Sequence, residues 1–167
     1  MSHPANDDEA RIKVRELLGQ IGTVMLVTTT EEGSLHARPM AIQAIEGDTV
    51  WFFNWHESPK AQQIREDSDV LISAANPATQ DYVSAQGTAR AMRDVEKQKA
   101  LWTEGARVWF PKGAEDAGMG LISVHLTGAE YWDAPNSTML HAYGYIKALA
   151  TGAPPEGGEN AKVSFGG

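Results

Sequence analysis

The chain has 167 residues, of which 42% are hydrophobic, and a formal net charge of −8. This length fits one domain with a sizeable core, and the acidic balance argues against broad binding to nucleic acids or anionic membranes. Cysteine is absent, which excludes disulfides, thiolate catalysis and cysteine-based metal sites. No apolar run approaches the roughly 20 residues that span a bilayer, and the acidic first residues differ from a secretory signal, so we expect a cytoplasmic protein.

The first half of the chain predicts one helix followed by a β-meander. Acidic residues ahead of apolar residues at helical spacing predict a helix that ends at about Gln20. Runs of β-branched and aromatic residues, separated by short turns that contain glycine, then predict three strands. These strands are Thr23–Thr30, Leu35–Ile45 and Thr49–Asn54.

The second half predicts two further helices and several strands. The helices are expected from Ser58 to about Asp67 and from Asp94 to about Glu104. Gly87 lies inside a predicted strand, where a glycine indicates a bulge or the close approach of another backbone. The strands are Val70–Ala75, Asp81–Met92, Leu121–Trp132 and Met139–Ala148, with a loop containing a short helical turn at Arg107–Gly120.

Several short antiparallel strands with two or three helices predict a mainly β (α+β) fold such as a small barrel. Residues 1–150 form a single domain in this interpretation. Residues 151–167 are rich in Gly, Pro, Glu and Asn, and we expect them to form a flexible tail.

The segment around Ser58 is a candidate anion site. Ser58 as N-cap and Pro59 as the first helical residue are also an ordinary helix start, and that structural interpretation stays open. Lys60 favours a site, because a cation near the positive end of a helix is unfavourable unless an anion compensates it. Backbone N–H groups, a hydroxyl and an ammonium at one helix start suit a phosphate.

Arg38 is the second candidate for this site. Alternation along the predicted strand puts His36, Arg38 and Met40 on one face, and Pro39 indicates a strand edge or a bulge. Arg38 is either a surface charge or a contact to a phosphate or an aromatic ring, since a guanidinium can stack and can make paired hydrogen bonds.

Other common chemical motifs are missing. The histidines lack the spacing of a helical metal site, so we predict no metal, and the chain has no Gly-x-Ser-x-Gly, Gly-x-Gly-x-x-Gly or Walker sequence. Trp55 is the tryptophan best placed to stack on a flat ring.

Four motifs in this order resemble the pyridoxamine 5′-phosphate oxidase-like flavoproteins, and within them the general stress protein branch. They are Arg38-Pro39-Met40, VWFFNWHESPKAQQI from Val50, YVSAQGTAR from Tyr82 and AEYWD from Ala129. The resemblance covers roughly Glu9 to Tyr145. It implies an FMN-binding split β-barrel with flanking helices that binds FMN at a homodimer interface.

The resemblance also implies roles for individual residues. Arg38, Ser58 and Lys60 would hold the FMN phosphate. The backbone of Pro39 and Met40 would face the isoalloxazine ring. The residues expected along the flavin and its ribityl chain are Phe53, Asn54 and Trp55, and those expected near the cofactor or at the dimer interface are Tyr82–Ser84, Trp109 and Trp132.

The chain also departs from true pyridoxamine phosphate oxidases. Those enzymes have a second lysine where this chain has a residue near Gln43, and Ser-Arg-Lys where it has Ser58-Pro59-Lys60. They also have an Arg-x-His segment, absent here, that grips the substrate phosphate. We therefore do not expect oxidation of vitamin B6, and FAD or a deazaflavin stays open beside FMN.

Three hypotheses follow for function. The first is an FMN-dependent oxidoreductase that uses a small-molecule electron donor or acceptor, with unknown catalytic residues and with His36 and His56 as acid–base candidates. The second is a flavin-binding or flavin-sensing module without turnover. The third is a flavin-free barrel that acts through protein contacts.

Overall fold

A computed structural model of the chain describes residues 7–133 and 159–165. Within these residues the helices are α1 (Asp7–Ile21), α2 (Pro59–Glu66) and α3 (Val95–Leu101), with a 3₁₀ helix at Glu104–Val108. The strands are β1 (Thr23–Thr29), β2 (Leu35–Glu46), β3 (Thr49–Trp55), β4 (Asp69–Asn76), β5 (Asp81–Met92), β6 (Met119–Asp133) and β7 (Glu159–Ser164).

The sheet closes into a barrel through the long strand β6. The strand order is β3-β2-β1-β4-β5-β6-β7, these neighbouring strands are all antiparallel, and β3 also pairs with β6. The first part of β6 closes the ring against β3, and its last residues, 128–133, pair with β7 instead. The described chain is therefore a six-stranded barrel with β7 added beside β6, which confirms the mainly β, split-barrel prediction.

A gap between β2 and β3 splits the barrel wall. These strands pair only from Ile42 to Glu46 on β2, with a register shift between Ile42 and Ala44. Within the described part of the chain, residues 35–41 of β2 consequently pair with β1 alone. Pro39 lies in this part, where its missing N–H leaves no broken ladder bond on the open side, as predicted for a strand edge. The gap positions the site described below.

The core lies inside the barrel and under α1. Helix α1 buries one face, formed by Ala10, Val14, Leu17 and Leu18 at helical spacing. A second apolar cluster lies beside the gap and connects β3, the 3₁₀ helix and β6. Its buried members are Phe53, Ala106, Phe110, Met119 and Leu121.

Two sequence-based boundaries need correction. Residues 159–165 were predicted within a flexible tail, and this is wrong because β7 pairs with β6 and Phe165 is buried. Arg11 of α1 also donates two hydrogen bonds to Ser164 O. Helix α3 ends at Leu101, before the predicted Glu104, because Trp102 has extended backbone angles. The predicted strand Met139–Ala148 and the domain boundary at residue 150 lie outside the described residues.

Gly87 marks both a bulge and a close backbone approach, as its position predicted. The β5–β6 register shifts between Gln86 and Gly87, and a Cβ on Gly87 would lie 2.6 Å from His125 O. We expect Gly87→Ala to lower the free energy of unfolding by about 1–3 kcal/mol through overpacking, measured by chemical denaturation. Gly19→Ala is the control, because no atom lies within 4 Å of its added methyl group. Equal stability of the two variants would contradict the close approach.

None of the helices in the described ranges combines the length and apolar character needed to cross a bilayer. Within the same ranges, no three His, Asp or Glu side chains converge in a way that could hold a metal ion.

Candidate functional site

A cleft of about 490 Å³ occupies the gap between β2 and β3. One wall is the open edge of β2, at Pro39–Ala41, and the facing wall is the end of β3, at Phe53–Trp55. The start of α2 and the segment after α3 complete the lining. Helix α2 follows β3 in the chain, and the segment after α3 packs beside β3. The remaining lining residues are Thr23, Gln43, Lys60, Ala106, Trp109 and Phe110.

The start of α2 is fixed by a side-chain cap. Ser58 is the N-cap, and its Oγ accepts hydrogen bonds from Ala61 N and from Asn54 Nδ2, both at 3.3 Å. Because both bonds use Ser58 Oγ as the acceptor, its hydroxyl hydrogen remains available to donate. Asn54 is 3% exposed, and its Oδ1 has no hydrogen-bond partner among the described residues. Asn54 lines the cleft, so the cleft wall contains a buried acceptor that lacks a donor among the described residues.

Arg38 is held beside this cap by neutral oxygens. Its Nη1 donates to Thr28 Oγ1 at 2.6 Å and to Leu26 O at 3.3 Å, and its Nη2 donates to Gln63 Oε1 at 3.2 Å. The Thr28 hydroxyl in turn donates to Gln63 Oε1 at 2.6 Å. Burial lowers the pKa of the Arg38 guanidinium. In residues 7–133 and 159–165, no carboxylate pairs with it.

Lys60 has no counter-charge in the described structure. It lies at the second position of α2, and no described residue forms an ion pair or a hydrogen bond with its ammonium. Burial lowers the pKa of Lys60, and the positive charge of Arg38 lowers it further. Two like charges beside a helix N-terminus repel each other and would both be stabilised by a bound anion.

Aromatic rings form the other end of the cleft. The centroids of the Trp55 and Phe110 rings are 4.7 Å apart, and Phe53 meets Phe110 edge-on at 6.1 Å. The Trp55 ring lies against Gly118, where a Cβ would be 3.1 Å from the indole. Trp55 nevertheless stays 44% exposed and Trp109 71% exposed. This end can stack on a planar ring, whereas the Lys60 end can bind an anion.

The structure brings the eight sequence-predicted site residues to one region. Those lining the cleft are Pro39, Met40, Phe53, Asn54, Trp55 and Lys60. Ser58 caps the helix that carries Lys60, and Arg38 lies close enough to lower the pKa of Lys60. Their contact with FMN stays a prediction.

Other expected residues lie elsewhere. Tyr82–Ser84 is not part of the cleft lining, and neither are the acid–base candidates His36 and His56. The ring of His56 packs against Gly120, and Arg65 donates to its backbone oxygen at 3.0 Å.

Several cleft residues were not predicted as site residues from the sequence. Phe110 belongs to the segment Arg107–Gly120, which the sequence predicted only as a loop with a short helical turn, and Ala106 directly precedes that segment. The aromatic pair Trp109-Phe110, within a predicted loop that contains three glycines and two acidic residues, was the available signal. Thr28 and Gln63 were also missed, since nothing in their local sequence marks them as partners of Arg38.

The described residues thus form a split barrel with a cleft in its wall, in which a cationic end, with Lys60 in the lining and Arg38 beside it, faces an aromatic end. Residues 9–156 match the family model described as pyridoxamine 5′-phosphate oxidase like. This match spans most of the chain, so the protein belongs to that family, and the resemblance inferred from its motifs is confirmed.

Related proteins agree with this assignment. The bli-3 protein of Neurospora crassa is 26% identical over 142 residues, which cover 79% of this chain and 68% of that protein. A candidate general stress protein 26 from Jannaschia sp. CCS1 shares the fold, with a TM-score of 0.80, 21% identity, and coverage of 95% of this chain and 99% of that one. The general stress FMN/FAD binding protein of Xanthomonas citri has a TM-score of 0.67 and 25% identity, covering 78% and 92% of the two chains.

Proposed function

We propose that the protein is an FMN-binding flavoprotein that acts as an oxidoreductase on a small-molecule electron donor or acceptor. The observation that carries this proposal is a pair of partly buried cations, Lys60 in the cleft lining and Arg38 beside it, neither of which pairs with a carboxylate among the described residues, at one end of a cleft whose other end is aromatic. FMN has the matching form, with a phosphate at one end and a planar ring at the other.

The phosphate end fits the donors that the chain leaves unused. Lys60 offers its ammonium, Ser58 offers its hydroxyl hydrogen, and the helix start offers a partial positive charge. Arg38 adds a charged fork suited to phosphate oxygens. A dianionic phosphomonoester would relieve the repulsion between the two cations.

The ring end fits a planar, hydrogen-bonding ligand. Asn54 Oδ1 is a buried acceptor without a partner among the described residues, so a ribityl hydroxyl or a ring N–H that reached it would remove its desolvation cost. The exposed face of Trp55 and the open edge at Pro39 and Met40 border the same space. These residues would bind and orient the cofactor.

Bound FMN would supply the redox chemistry, by hydride or electron transfer. The protein would hold it, shield one side from water and tune its electronics through Arg38 and Lys60. Lys60 is the only titratable side chain that lines the cleft in the described part of the chain. Proton transfer from the substrate or from water therefore fits the site better than a dedicated acid–base residue.

FMN binding is tested by titrating ligand-free protein with FMN and with riboflavin in a calorimeter. We expect FMN to bind at least about tenfold more tightly, the size of one hydrogen bond to a charged group. Equal affinities would remove the phosphate from the proposal, and no binding of either ligand would favour the flavin-free alternative.

A flavin-binding module without turnover is the second candidate, favoured by the absence of an acid–base side chain from the described cleft lining. Anaerobic mixing of the FMN-loaded protein with NADH or NADPH separates the two. Loss of flavin absorbance at about 450 nm supports an oxidoreductase. An unchanged spectrum with both donors, while dithionite still bleaches the flavin, supports the module.

We also propose that the protein forms a homodimer that covers the cleft. Val108 and Trp109 are 78% and 71% exposed beside the aromatic end, and a partner subunit would bury them. Light scattering is expected to give twice the 18.1 kDa chain mass, and Trp109→Ala should shift the protein toward the monomer. A monomeric parent protein would contradict the proposal.

A further inference from the structure

Among the described residues, the hydrogen bonds around Arg38 leave one edge of its guanidinium without a partner. A guanidinium carries five N–H donors in a rigid planar fork. The bonds to Thr28, Leu26 and Gln63 use three of them, two from Nη1 and one from Nη2. Nε–H and the second Nη2–H remain, and they lie side by side on the same edge. Two adjacent donors of this kind match two oxygens of one phosphate.

Thr28 and Gln63 fix the direction of that edge. They accept from the two different terminal nitrogens of Arg38, and Thr28 also donates to Gln63 at 2.6 Å. The closed ring of three hydrogen bonds joins side chains from β1, β2 and α2. Thr28 is only 1% exposed, so its hydroxyl has no room to turn toward water. Rotation of the guanidinium would break its bonds to Thr28 and Gln63 as well as the one to Leu26 O, and would remove the donor to the buried Thr28 oxygen.

The acceptors are neutral, and this preserves the charge of Arg38. A hydroxyl, an amide and a backbone carbonyl hold the guanidinium in place without forming an ion pair. A carboxylate in the same position would orient the fork equally well but would compete with the phosphate for the positive charge. The neutral acceptors therefore leave the positive charge of Arg38 available to a bound ligand.

We propose that Thr28 and Gln63 are positioning residues that direct the Nε–Nη2 edge of Arg38 toward the flavin phosphate, and so set the preference for FMN over riboflavin. This inference rests on the proposed FMN site. It concerns how the phosphate is gripped and makes no claim about the reaction.

Single substitutions test the positioning role through ligand selectivity. Thr28→Val and Gln63→Leu are each expected to weaken FMN binding about five- to tenfold, as for one lost hydrogen bond, and to change riboflavin affinity by less than about twofold. Thr28→Ser keeps the hydroxyl and should restore the parent affinity for FMN. Gln62→Leu is the matched control, because Gln62 is exposed on α2 and its side chain bonds only to Glu66. A substitution that only destabilised the protein would weaken the binding of both flavins, and Thr28→Ser would not selectively restore the affinity for FMN.

A double-mutant cycle identifies Arg38 as the residue through which they act. In an Arg38→Ala background, Gln63→Leu should no longer change FMN affinity by more than about twofold. A full five- to tenfold loss in that background would overturn the inference, as would an unchanged FMN-to-riboflavin ratio in the single variants. If the parent protein itself binds both flavins equally, the proposed phosphate site is wrong, and the positioning role that rests on it is wrong as well. Gln63 is partly exposed, so its variant carries the test if Thr28→Val does not fold.

Discussion

Replacing Lys60 by alanine is expected to weaken FMN binding by about 1.5–3 kcal/mol, the range for a hydrogen bond to a charged group. Lys60 is the cleft-lining cation, and it has no partner among the described residues, so its ammonium is available to the phosphate. Riboflavin lacks the phosphate and should bind the variant almost as well as it binds the parent protein. Calorimetric titration with both flavins measures the two losses.

The controls for Lys60→Ala separate a ligand contact from a structural role. Lys162→Ala removes an exposed lysine on β7, which does not line the cleft, and should leave both affinities unchanged. The free energy of unfolding of the ligand-free Lys60→Ala protein should not fall, because the substitution relieves repulsion from Arg38. Equal losses for FMN and riboflavin would refute the phosphate contact.

The affinity for FMN is expected to fall at alkaline pH, earlier than for an ordinary lysine site. Burial, reinforced by Arg38, lowers the pKa of Lys60 below the usual 10.5. Above this lowered pKa, the ligand-free protein must take up a proton to pair Lys60 with the phosphate, and the affinity then falls by up to about tenfold per pH unit. The total loss cannot exceed the effect of Lys60→Ala. At the acid end, affinity should rise as the phosphate loses its second proton at about pH 6.

Riboflavin and one variant are the controls for this pH profile. Riboflavin carries the same ring, so any titration of the ring affects both ligands, and only the phosphate-dependent difference reports Lys60. Lys60→Arg keeps its charge throughout the range and should remove the alkaline fall. Relative to Lys60→Ala, the ligand-free parent protein should gain stability as pH rises from the lowered pKa of Lys60 toward 10.5, since Lys60 binds more protons in the unfolded chain there. A flat FMN profile would contradict the assigned environment of Lys60.

Local signals predicted the parts of the site that depend on one segment. Ser58 as N-cap and Lys60 at the second helical position follow from short-range rules of helix starts, and the structure has both. Gly87 indicated a bulge because only a residue without a side chain fits so near another backbone. The order of the first three strands followed from turn spacing and alternation alone.

The rest depends on contacts between distant segments. The β2–β3 gap opens at a bulge after Ile42. No turn sequence or glycine at this position predicted that bulge. Gln63 meets Arg38 only because α2 packs beside β1 and β2, and Phe110 reaches the cleft only because the segment after α3 folds back on β3. The β7 strand was missed because its composition is that of a tail, although Ala161, Val163 and Phe165 alternate toward the core. Burial on an existing sheet overrides such weak local preferences.

The most direct test of the flavin assignment is the visible absorbance spectrum of the purified protein, with mass identification of the ligand released on denaturation. We predict a flavin spectrum with a band at about 450 nm and a released ligand with the mass of FMN. Colourless protein that fails to take up added FMN would contradict the account.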